Sequence, residues 1–370
     1  MAILQELPVP SSQLFIWVFI PYRFKGHELI SEEYDNHATR QELANVFTEL
    51  GLKWKWQPIT LENMHAVVEE VAASSDEYIP VVLNYCDGFD EIDGYPGLSV
   101  IKLLEAKGII FTGADSDFEY ASISKIRMKR ALTEAGVSTA PYEVIFDITS
   151  VQGICQRLGV PLIVKPAISN GGKGLSSKSV VQSDEELSEQ IQNLLQEQQK
   201  GQFIISDIFV ERFINGSEFT VFIVGSAQQP DCLKIYPPLE FIFHSKLPEF
   251  ERFKSHEKIQ KVEEFLCGHL VTAPLSNKIH ELSKRAYCKL GGNGYARVDI
   301  RMDKKSQELF VLEVNANCGI SSQPISPFFK DGQTSVGTIL HLSGTPFGQI
   351  MSEIIAEAFA RHFHKSMFIN

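Results

Sequence analysis

Arg297-Val-Asp299 and, beyond a polar break at 303–307, Glu313-Val-Asn315 are the stretch whose reading decides the fold. Apolar residues run up to and between them. Side chains alternate along an extended strand, so Glu313 and Asn315 share one face while Val314 takes the other. If 294–302 and 308–315 pair as a hairpin, Asp299 joins that face with Arg297 beside it. Hard oxygen ligands of this kind suit magnesium, whose shell is completed by water and substrate phosphates. The pattern therefore leads to a nucleotide-handling enzyme. The bland alternative is a solvated strand face, the usual state of either half alone.

The chain has 370 residues, more than one hydrophobic core usually serves, so two or three domains are expected. Lys plus Arg number 34 against 46 Asp plus Glu, a formal charge of -12, which argues against broad nucleic-acid binding and supplies no basic membrane face. The apolar run Leu14–Ile20 is too short to span a bilayer and lacks the flanks of a signal peptide, so it reads as a buried strand. Cys86, Cys155, Cys232, Cys267, Cys288 and Cys318 are scattered without a C-x-x-C pair, which indicates neither zinc nor a disulfide framework and suits a reducing cytoplasm.

The first third alternates strand and helix signals, the rhythm of a parallel α/β sheet. Leu14–Ile20, Pro80–Asn84 and Gly108–Gly113 read as strands. Helices carry Leu43, Val46, Phe47 and Leu50 up to Gly51, and then Leu98, Ile101 and Leu104. A second unit has a helix with Met128, Ala131, Leu132 and Ala135, a strand over 160–165, and a polar, surface-exposed helix over 184–199. A third opens with strands 208–213 and 218–224 joined at Asn215-Gly216, continues through a helix near 277–290 and the opening hairpin, and closes with a core-packing helix over 347–363. The expected domains are 1–117, 118–205 and 206–370.

Two features could hold phosphate. Gly171-Gly172-Lys173-Gly174 follows a strong strand and lets backbone amides come close to an anion, although a tight turn explains it equally well. The string is not a P-loop, and no G-x-G-x-x-G follows the first strand. Lys165, among Ile163, Val164 and Pro166, needs a partner or water for its ammonium; bound phosphate or an edge-strand position would each serve. Lys125, at a helix start after Ser122 and Ser124, is a second cation that alone reads as a solvated residue.

In order along the chain, Lys125, Val164-Lys165-Pro166 with its glycine loop, Val210-Glu211-Arg212-Phe213, Gly216-Ser217-Glu218, Arg297-Val-Asp299 and Leu312-Glu313-Val-Asn315 resemble the ATP-grasp superfamily, within it the D-alanine:D-alanine ligase branch. Asp93-Gly94-Tyr-Pro-Gly97 and Ala135–Pro141 resemble that branch as well. The resemblance covers nearly the whole chain. It implies a three-domain α/β (α+β) architecture, an N-terminal parallel domain followed by two units that clasp ATP. It also implies an ATP-dependent carboxylate–amine ligase that works through an acyl phosphate.

By the same resemblance, Lys125 and Lys165 serve the ATP phosphates under the 169–174 loop, with Gly171, Gly172 and Gly174 at its turn. Glu211, Arg212 and Phe213 form the adenine hinge and Glu218 takes the ribose hydroxyls. Asp299, Glu313 and Asn315 bind two magnesium ions, or manganese in their place, and Arg297 stabilises charge on the transferring phosphoryl group. Lys254 falls on a later loop, within a candidate lid over 247–278. Glu33, with Asp35 as a competitor, Asp93 and Gly319 fall on the substrate side. The partners are small carboxylates and amines, with neither nucleic acid nor membrane, and a homodimer is compatible with the family.

Departures gather around the amino-acid side: Gly171 and Gly172 where the branch has serines, Ser255 for a tyrosine, Cys318 for a proline, and Asn84-Tyr-Cys-Asp-Gly88 in place of a His-Gly pattern. The substrates are therefore amino acids or a specialised small metabolite. A catalytically inactive ATP-sensing module of the same fold is the alternative function.

Overall fold

The computed structural model describes residues 7–31, 35–90, 92–147, 151–168, 175, 177–199, 207–253, 265–325 and 333–367. Strand Leu14–Pro21 is the centre of a parallel sheet, between Lys53–Ile59 on one side and Ile79–Asn84, then Ile110–Phe111, on the other. Its continuous apolar run is what a strand covered on both faces requires. Ile16, Val18 and Ile20 enter one core with Leu43, Val46 and Phe47 of helix His37–Glu49; Trp17 and Phe19 enter another, under helices Met64–Ala73 and Leu98–Ala106.

The middle sheet is antiparallel, in the order Tyr142–Ile145, Ile208–Arg212, Leu162–Pro166, Val180–Val181. Strand Ile208–Arg212 was expected to open the third unit beside Glu218–Val224, but it pairs here. The chain changes sheets at 213–217, so Asn215-Gly216 is a crossing rather than a hairpin turn. Helix Asp184–Gln199 also departs from its expected exposure, since Leu187, Ile191 and Leu194 form a buried stripe against Leu162, Val164, Ile208 and Val210. Its many Glu and Gln residues mask a two-turn apolar line.

The third sheet runs Phe265–Leu270, Leu239–Phe243, Glu218–Val224, Tyr295–Met302, Leu309–Ala316. Part of the expected lid over 247–278 is therefore built into a sheet strand and the start of helix Leu275–Lys289. Phe219, Val221, Ile223, Ala296, Val298 and Ile300 pack beneath that helix. Phe222 and Tyr295, on the other face, share the first core with Ile350, Met351, Ile354 and Phe359 of helix Phe347–Met367. The C-terminal helix thus packs in the core, as expected. Among the described residues no helix is long and apolar enough to cross a membrane.

Candidate functional site

The hairpin forms as its alternation predicts. Tyr295–Met302 and Leu309–Ala316 pair antiparallel, with Arg297 opposite Asn315 and Asp299 opposite Glu313. The register then shifts, so that Ile300 faces Val311 and Leu312 is the extra residue of a bulge. That shift lets Val311 and Val314, three apart, both reach the apolar core while Glu313 and Asn315 stay on the polar face.

Asp299 is the buried anchor of this face. Arg297 Nε and one terminal nitrogen donate to its two oxygens at 3.0 and 3.1 Å, and Thr220 Oγ1 donates at 2.5 Å from the neighbouring strand. Burial pulls the Arg297 guanidinium down, but the Asp299 charge outweighs it and raises the group further. The Asn315 amide stands between the two carboxylates, donating to Asp299 Oδ2 at 3.2 Å and Glu313 Oε1 at 3.3 Å. Among the described residues no three His, Cys, Asp or Glu side chains could hold a metal together. Here the donors are two carboxylates and an amide, a hard-oxygen set that fits magnesium better than zinc.

A helix start brings a cation to this face, and a neighbouring strand carries a second. Lys125 starts helix Lys125–Glu134, capped by Ser124, and its backbone amide donates to Ala167 O, just past the strand that carries Lys165. Its Nζ lies 3.4 Å from Glu313 Oε2. Within Leu162–Pro166, Leu162 and Val164 face the middle core while Ile163 and Lys165 face the other way; on the paired strand Phe209 and Glu211 share that side. Lys165 Nζ is 2.7 Å from Glu211 Oε1, a counter-charge that an ammonium on an apolar strand needs.

Glu211 takes a second lysine that the sequence reading missed. Lys129, fully buried one helical turn after Lys125, puts Nζ 2.5 Å from Glu211 Oε2. Burial pushes the Glu211 carboxyl up, yet Lys129 and Lys165 outweigh it and hold it at about 2. Four-residue spacing from Lys125 was the available signal. Arg301 was missed too; it continues the Arg297, Asp299 alternation and meets Glu218 at 3.3 Å, both residues buried. Phe213 packs against Phe250 and Phe253, with Arg301 over its ring, and Arg212 lies over Phe310.

The remaining candidates are more scattered. Asp93 Oδ1 accepts from the Phe89 and Tyr95 amides and so closes its own loop. Asp35, the competitor of Glu33, is held by Tyr22 and Arg40. Gly319 has room for a Cβ, with Thr334 at 3.7 Å. Gly171, Gly172, Gly174, Lys254 and Glu33 lie outside the described residues. Just past Asn315, however, buried Asn317 donates to Glu119 Oε2 at 2.8 Å and accepts from the Ala114 amide at 2.7 Å. Burial and then Asp87 push Glu119 up to about 8 against that hydrogen bond. A lone glutamate in a helix gives no warning of this.

A family model described as D-ala D-ala ligase C-terminus matches residues 132–355, which include strand Ile208–Arg212, the hairpin and the bulge. The chain belongs to this family. It is thereby a member of the ATP-grasp ligases of the D-alanine:D-alanine ligase-like branch, as its motifs led one to expect. It is 31% identical over 229 residues to a D-alanine--D-alanine ligase of Polynucleobacter asymbioticus, covering 61% of this chain and 62% of that protein. It is 24% identical over 289 residues to one from Acinetobacter baumannii, covering 75% and 87%.

Solved structures carry the fold further. The D-alanine--D-alanine ligase of Bacillus anthracis complexed with ATP superposes with a TM-score of 0.65 at 20% identity, over 95% of this chain and 99% of that one. A Campylobacter jejuni biotin carboxylase in a β-γ-ATP complex gives 0.64 at 14% identity, over 93% and 71%. The expected mixed α/β ATP-grasp architecture is borne out.

Proposed function

We propose that this family member joins a carboxylate to an amine at the expense of ATP, through an acyl phosphate, on amino acids or a specialised small metabolite. The observation that carries the reading is the meeting of Lys125, at a helix start, with Arg297, Asp299, Glu313 and Asn315 on one face of the hairpin, while the Lys125 amide donates to Ala167 O just past the strand that carries Lys165. Similarity to D-alanine--D-alanine ligases supports it over most of the chain.

In this reading Lys125 and Lys165 bind the triphosphate, and Asp299, Glu313 and Asn315 hold magnesium. The metal, when bound, offsets charge on the phosphoryl oxygens and aligns them with the attacking carboxylate. Arg297, fixed by both Asp299 oxygens, presents a permanent cation to the same oxygens and to the acyl group that follows. The amine then attacks the acyl carbon and phosphate departs, with no nucleophilic side chain required. Phe213 and the hinge backbone would receive the adenine, and Glu218, oriented by Arg301, the ribose. The units 1–117, 118–205 and 206–370 remain our proposed division, with 208–212 lent to the middle sheet. A cytoplasmic home remains part of the proposal, argued from the scattered spacing of the cysteines.

The test is ADP release from ATP and magnesium across pairs of amino acids, D-alanine included. The reading predicts release that depends on a particular acid and amine; ATP binding with no release for any pair would favour an ATP-sensing module instead.

A further inference from the structure

The Lys129–Glu211–Lys165 chain is a charge arrangement that the phosphate-binding reading does not use. Glu211 is 1% exposed and Lys129 0%, so neither ion of that pair is screened by water. Lys165, by contrast, keeps part of its side chain open at the site. Lys129 also donates to Thr139 Oγ1 at 2.7 Å, and Thr139 donates to Val311 O at 2.8 Å on the strand that carries Glu313. One buried ammonium therefore ties the helix of Lys125, the hinge strand, the Lys165 strand and the hairpin together.

A buried carboxylate touching a single lysine would make a neutral pair, and Lys165 would then have little net attraction left for an anion. Two lysines on one carboxylate leave one positive charge over. Lys129 and Glu211 are sealed, so that surplus is felt at Lys165, the member facing the site. We propose that Lys129 is a positioning residue that neutralises Glu211 from behind, freeing the charge of Lys165 for the phosphates of a bound nucleotide. The inference rests on the ATP-site reading above. It deepens that reading by assigning phosphate affinity to a residue that touches no ligand.

The test compares Lys129→Met, Glu211→Gln and the double variant in the full chain, each checked by thermal melting, for binding of ATP with magnesium and of adenosine by calorimetry. The charge account predicts that Lys129→Met weakens ATP roughly 10- to 100-fold while adenosine changes less than about twofold, because adenosine carries no charge for Lys165 to attract. Lys129→Met with Glu211→Gln restores one uncompensated lysine and should regain most of the lost ATP affinity. That double variant buries no unpaired ion, so it keeps the test sharp should Lys129→Met fail to fold. Equal loss for ATP and adenosine, no loss for either, or a double variant that still binds ATP weakly would overturn the proposal. A wild-type chain that binds no ATP would overturn the site reading itself, a separate result.

Discussion

Asp299 and Glu313 face each other across one hairpin yet should fail differently. Glu313 keeps 27% of its side chain exposed, so Glu313→Gln should leave stability within about 1 kcal/mol while lowering turnover at least about 100-fold through loss of metal and phosphate organisation. Asp299 is buried against Arg297 and Thr220. Asp299→Asn should therefore cost about 2–3 kcal/mol in urea unfolding besides turnover, because it strips a nearly buried guanidinium of its counter-charge. Equal stability of the two variants would contradict this division. Glu119 adds a pH dependence: it titrates at about 8 in the folded chain against an ordinary 4.5. Between those values the folded chain holds a proton that the unfolded chain has released, so stability falls as pH rises from about 5 to 8, by up to a few kcal/mol. Glu119→Gln keeps an acceptor for Asn317 and should flatten that slope in denaturant melts from pH 5 to 8; parallel profiles for the two proteins would refute it. At this scale the sequence exposed the residues whose charge interrupts an apolar strand, Lys165, Asp299 and Glu313. It concealed Lys129, Arg301 and Glu119, whose importance comes from partners 80 or more residues away or across a helix turn.

The hairpin illustrates what an element's pattern can and cannot reveal. Alternation was enough to pair Asp299 with Glu313, but the bulge at Leu312 depends on both valines of Leu309–Ala316 finding the core, which local spacing does not encode. Strand Lys53–Ile59 was overlooked because Lys and Trp alternate along an edge that is only half covered. Strand Ile208–Arg212 was recognised but given the wrong neighbours, since an apolar run looks the same in either sheet. A stricter constraint sits at Gly294, which opens the hairpin's first strand at φ 67°, where an added Cβ would lie 2.1 Å from Gly113 O. Gly294→Ala should cost about 3 kcal/mol or more, from strain and from displacement of the loop that Asn317 grips. A thermal midpoint within a degree of wild type would show that the backbone contact yields freely.

Across the whole molecule, the ends of the chain meet in one core. Ile354 of helix Phe347–Met367 is completely buried in the cluster that also holds Ile16, Val18 and Phe47. Trp17, Trp54 and Trp56 all lie in the first sheet. Ile354→Asp should then lower the tryptophan-monitored unfolding midpoint by the equivalent of about 4 kcal/mol, although the change is more than 290 residues from any tryptophan. An unchanged fluorescence transition would mean that the helix and the first sheet unfold apart. The parallel sheet was legible because hydrophobic period reports it, and the order of the motifs because spacing does. The docking of the last helix onto the first sheet was not, because nothing in either segment names the other.

Isotope transfer tests the central claim most directly. Amino acids, D-alanine first, labelled with oxygen-18 in the carboxylate are incubated with the enzyme, ATP, magnesium and an amine partner, and the released phosphate is analysed by mass. The account predicts one labelled oxygen in that phosphate, carried from the carboxylate through the acyl phosphate. Turnover that releases phosphate free of the label would contradict it.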